Sequence, residues 1–173
     1  MATYKLIASS TVGAGGAASI DFTSIPSTYT DLVVKLSTRC GFTGGVADLS
    51  MQINANTGAN YQYRELIGNG STASSGNGTN SAKFNSIQVP NDSTASTFNN
   101  AEIYIPNYTS STNKSISVDA VTENNSATTN VQVRLQAWLW LQTAAITQLT
   151  FTSQGATNFL QYSTAYLYGI KNS

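Results

Sequence analysis

The sequence predicts an all-β fold, an antiparallel two-sheet β-sandwich, and three observations carry that prediction. About ten or eleven segments alternate apolar and polar residues with period two, the side-chain period of a strand. Clusters of Gly, Asn, Ser and Pro separate these segments and suit turns. No window of useful length repeats its apolar residues at the helical period, and only Thr143-Ala144-Ala145 hints at a helical turn.

The first strand is expected over residues 3–9, with Tyr4, Leu6 and Ala8 opposite Lys5 and Ile7, before a glycine turn at 13–16. A short strand over 19–23 carries Ile20 and Phe22 and stops at Ile25-Pro26, because proline has no N–H for a ladder. Residues 31–39 place Leu32, Val34 and Leu36 on one apolar face, and 48–54 place Leu49, Met51 and Ile53 opposite Ser50, Gln52 and Asn54. Over 61–67, Tyr61, Tyr63 and Ile67 oppose Gln62, Arg64 and Leu66. The stretch 68–81 offers nothing sizeable to bury and is expected as an exposed, flexible loop, with 91–98 as a second. Between them, 83–89 reads as a strand ended by Pro90.

Residues 101–105 and 114–123 then turn Ala101, Ile103, Ile105, Ile116, Val118 and Ala120 inward. A turn at 124–126 leads into the next strand as an antiparallel pair. Strands over 146–152 and 164–170 complete the chain. With no linker or repeat, residues 1–173 read as one domain.

The longest alternation is 130–142. One face carries Val131, Val133, Leu135, Ala137, Leu139 and Leu141, and this face is expected in the core. The other carries Gln132, Arg134, Gln136, Trp138, Trp140 and Gln142, and is expected as a contact surface. Indole faces on a sheet can stack on sugar rings while amides and a guanidinium supply hydrogen bonds; equally, both indoles can pack under a loop or against another subunit.

Composition narrows the chemistry. Charged residues make up 9% of the chain, against about 25% in an average globular protein. Eight basic residues balance eight acidic ones, so neither nucleic acid nor an anionic membrane is an expected partner. The lack of histidine removes the commonest general base and metal ligand, and the single cysteine, Cys40, excludes an internal disulfide. No catalytic residue, cofactor or metal site is expected. Asp119 and Glu123 lie on one strand face roughly 13 Å apart, too far for a carboxylate dyad. Asp119 is expected instead to face Arg134 across neighbouring strands. The chain shows neither a signal-peptide pattern nor a run of ~20 apolar residues, so synthesis in a cytoplasm is expected.

Three segments, SIDFTSIPSTYTDL at 19–32, EIYIPNY at 102–108 and YSTAYLYGIK at 162–171, together resemble a group of small β-rich virion proteins of tailed bacteriophages, described as capsid decoration (cement) or other head and tail structural proteins. The resemblance spans most of the chain, and the same pieces also resemble modules of phage fibres and appendages. It implies a jelly-roll-like sandwich that assembles on the virion, commonly as a trimer, with no catalytic residues to carry over. The expected role is binding the outer face of the major capsid protein on the head surface, after synthesis in the host bacterial cytoplasm. Residues 1–10 and the outward face of 130–142 are the expected contacts. The competing expectation is a receptor- or glycan-binding appendage domain in which Trp138 and Trp140 hold a host sugar.

Overall fold

The computed structural model describes residues 3–124 and 131–171. The described residues form twelve strands in two antiparallel sheets, so the chain is an all-β sandwich. The strands are β1 (Thr3–Thr11), β2 (Ser19–Phe22), β3 (Asp31–Ser37), β4 (Ala47–Ile53), β5 (Tyr61–Gly68), β6 (Ala73–Ser81), β7 (Phe84–Gln88), β8 (Asn100–Ile105), β9 (Lys114–Thr122), β10 (Gln132–Trp140), β11 (Leu149–Ser153) and β12 (Thr164–Lys171). The large sheet runs β1-β12-β3-β8-β9-β10-β5-β6, and the small sheet runs β2-β11-β4-β7. The turn expected at 124–126 falls mostly outside the described residues.

The core lies between the sheets and follows the alternation read from most strands. Leu32, Val34 and Leu36 of β3, Ile103 and Ile105 of β8, and Ile116 and Val118 of β9 face Leu49, Met51 and Ile53 of β4 and Phe151 of β11. Central strand β3 is also closed on its second face at Val33, which is fully buried between β12 and β8. Cys40 is a buried free thiol.

Residues 73–81 form a strand where a loop was expected. The reason is backbone pairing: β6 buries almost no side chain, but it completes a ladder on β5. Its glycines allow that approach, since a Cβ at Gly78 would lie 2.3 Å from the Tyr63 ring and one at Gly76 would lie 2.8 Å from Glu65. Hydrophobic periodicity has nothing to register in such a strand.

The three segments that carry the phage resemblance meet at one corner. Buried Asp31 accepts hydrogen bonds from Tyr104 Oη and the Asn107 N–H, each at 2.9 Å. Tyr108 donates its hydroxyl to the Pro26 carbonyl. The Tyr29 ring lies against Gly169, where a Cβ would sit 2.3 Å from it. The corner therefore accounts for these residues by packing.

The second polar loop is organised around a buried cation. Arg39, 6% exposed, donates from its two terminal nitrogens to the carbonyls of Asn91, Ser93, Thr94 and Thr97 at 2.7–3.1 Å. Behind it, Asn99 joins the Thr38 N–H to the Ile87 carbonyl. Lysine cannot reproduce the planar fork. Arg39→Lys is expected to lower stability by about 1–3 kcal/mol through carbonyls left unpaired, measured by urea denaturation, with hydrogen exchange of residues 91–97 accelerating ahead of the β-strands.

Candidate functional site

Strand β10 faces the opposite way from the expectation. Trp138 and Trp140 are each 1% exposed and point into the core, with Gln136 buried beside them. Val133 and Leu135 point outward, 56% and 59% exposed. The Trp138 ring stacks on Phe84 of β7 at 4.4 Å with an interplanar angle of 5°, and Tyr61 of β5 meets Phe84 edge-on at 4.8 Å. These contacts bridge the two sheets. The indole faces are therefore closed to a sugar, which removes the binding mode that uses Trp138 and Trp140.

The polar members of the inward face find partners at one end of the sandwich. Gln136 donates to Glu65 (3.0 Å) and to the Asn85 carbonyl (2.9 Å), and Arg134 donates to Gln132 (2.9 Å). Arg134 also lies 3.6 Å from Glu65 in a mostly buried ion pair. The expected partnership with Asp119 does not form, because Asp119 registers with Leu135 on the outer face while Arg134 registers with Ala120 on the inner one. Gln142 follows the strand and is half-buried.

The reversal leaves a continuous outer face on the large sheet. One row crosses it in register: Tyr166, Lys35, Glu102, Asp119, Leu135, Leu66 and Ser75. The next pairs Val121, Val133 and Gly68. The face is thus aromatic and charged over β12, β3 and β8, then apolar over β10 and β5, where Leu66 is 60% exposed. A groove of about 430 Å³ lies over Lys35, Glu102, Ser117, Asp119 and Leu135. Another of about 540 Å³ lies over Arg64, Leu66, Ser75, Leu135 and Ala137.

At the charged end, Lys35 bonds Glu102 at 2.6 Å, and that hydrogen bond and the Glu102 charge raise the lysine pKa. The pair is solvent-exposed, so it orients the two side chains more than it stabilises the fold. At the other margin, exposed Tyr4 meets Tyr168 edge-on, and Tyr168 stacks near Tyr166. Among the described residues no group of three His, Cys, Asp or Glu side chains converges to hold a metal.

Sequence reasoning missed two residues besides the apolar face. Lys114, 1% exposed, donates to the carbonyls of Ser110 and Thr112 and sits 6.0 Å from the Trp140 ring centre. Burial lowers its pKa. The second is Asp48, half-buried on β4, whose pKa is raised by desolvation against the weaker opposing charges of Arg134 and Lys83. No alternation marks either position: Lys114 is held by the carbonyls of the turn before it and lies beside Trp140 of the neighbouring strand β10, while the charges of Arg134 and Lys83 that act on Asp48 come from outside β4.

A raised carboxylate pKa in the folded state means that Asp48 favours folding most below its unfolded value of 3.8, and that this contribution is lost as pH rises through the folded value. Asp48→Asn is therefore expected to raise the thermal midpoint at pH 7 and to match the parent chain below pH 3.8, as read by calorimetry across the acid range.

A scan against protein-family models finds no match to this chain, and a search of curated proteins finds none either.

Proposed function

We infer that the protein is a non-enzymatic virion structural protein of a tailed bacteriophage, a capsid decoration protein that binds the outer face of the major capsid protein lattice and stabilises the head. The observation that carries this reading is the exposed apolar patch of Leu66, Val133 and Leu135 on the large sheet. Three such side chains held on adjacent strands present a rigid docking face whose burial would contribute about 1.5–3 kcal/mol each. The three-segment resemblance supports the same role, with the jelly-roll-like connectivity that it implies.

The contact surface in this reading is the outer face of β10 and β5, in place of the Gln132–Gln142 face first expected. Tyr4 and Leu6 of β1 add exposed apolar area at the far margin of the sheet, within the N-terminal segment expected to meet the shell; Met1 and Ala2 of that segment lie outside the described residues. A lattice that binds only the folded protein stabilises it by mass action, and the protein in turn stiffens the shell by spanning neighbouring subunits.

The test is to add purified protein to mature capsids stripped of it and to score symmetry-related sites by cryo-electron microscopy. Ordered density on the head, with restored resistance of the shell to heat, is the expected result. Leu66→Lys and Leu135→Lys are each expected to weaken binding tenfold or more, about 1.4 kcal/mol, with folding unchanged because both side chains already face solvent. An empty lattice, together with binding to host cells or glycans, would overturn the decoration role in favour of the appendage reading.

A further inference from the structure

Among the described residues the sandwich has four sheet edges, and three of them carry a physical guard. At β7, side chains from outside the small sheet occupy edge carbonyls: Gln136 of β10 donates to Asn85, and Asn99, just before β8, donates to Ile87. Edge strand β2 is only four residues long and carries Asp21. Edge strand β1 holds Lys5 and is broken by a bulge between Leu6 and Ala8. Short strands, charges, bulges and covering groups are the devices by which β-proteins prevent edge pairing.

Strand β6 differs from all three. It is nine residues long, carries no charged residue and no proline, and lies at the end of the large sheet, where β5 is the strand that pairs with it among the described residues. Its one irregularity falls near the end, where Asn80 takes φ 56° and the register with β5 shifts, leaving residues 73–78 in regular pairing. We propose that this edge seats the β6 strand of a second copy, antiparallel about a two-fold axis, so that the large sheet continues across the seam.

The composition of β6 fits its own copy. A neutral strand of small polar residues meets itself without like-charge repulsion, and Ser and Thr side chains on facing strands form hydrogen-bonding pairs. A two-fold axis normal to the sheet keeps outer faces together. The apolar patch of one copy, whose Leu66 registers with Ser75, is then carried towards that of the next. Strand β1 of a neighbour is the less suitable partner, because Lys5 and the mid-strand bulge would stand in the ladder. This inference does not depend on the capsid role.

The test is sedimentation velocity of the full chain at increasing concentration, with exposed Ser75 as the probe position. The parent chain is expected to dimerise. Ser75→Lys and Ser75→Glu are each expected to raise the dimer Kd tenfold or more, and mixing these two variants is expected to restore the dimer by pairing opposite charges across the seam. Leu135→Lys, away from the edge, is expected to leave dimerisation unchanged, so failure of capsid binding and failure of self-pairing read out separately. A parent chain that stays monomeric at millimolar concentration would overturn the proposal. So would a dimer that survives both Ser75 substitutions, or one that Leu135→Lys abolishes.

Discussion

The stack of Trp138 on Phe84 decides which way β10 faces, and much of the surface follows from it. Both faces of this strand are apolar enough to be a core. Burying two indoles removes about 150–250 Å² each, worth roughly 8–12 kcal/mol together. Burying Val133, Leu135 and Leu139 instead would yield about 5–9 kcal/mol. The ring partners Phe84 and Tyr61 add to the first choice and not to the second. The indoles lie inside on these ring partners, and Val133 and Leu135 are left as the exposed patch on the large sheet.

Two neighbouring strands make the choice tolerable. Gln136 and Arg134 come inside with the tryptophans, and Glu65 receives both. Without that carboxylate on β5, burying a guanidinium would leave an uncompensated charge. Gln136 also reaches the free carbonyl of Asn85, so a residue that reads as solvent-facing polar joins the large sheet to the edge of the small one.

Most of the sandwich was legible because its strands separate apolar from polar residues sharply. In β4, β8 and β9 one face has almost nothing but aliphatic side chains, and period two alone assigns it. The failures have physical causes. In β10 the alternation gives the strand but not its side, since Trp and Gln share a face. In β6 there is no alternation, because the strand is held by its backbone. The contact face was misread with β10, although the alternation sets Leu66 opposite Tyr63 and Ile67. The buried setting of Arg39 lies in long-range contacts that no local window contains, and Lys114 is bonded by the turn before it but lies beside Trp140 of β10.

The clamp that Arg39 places on the 91–97 loop has a further consequence. Its acceptors are four peptide carbonyls, which are neutral dipoles with no proton to gain and no counter-charge to lose. A loop tied by a carboxylate loosens in acid as its partner is protonated, and an exposed ion pair weakens as ionic strength screens it. The contacts of a guanidinium with carbonyls are exposed to neither effect, and the guanidinium keeps its charge across the ordinary pH range although burial lowers its pKa. The contacts of Arg39 with these carbonyls should thus persist from dilute buffer to brine and from mild acid to mild alkali, while Asp92 of the same loop also holds the Gly44 N–H through its carboxylate.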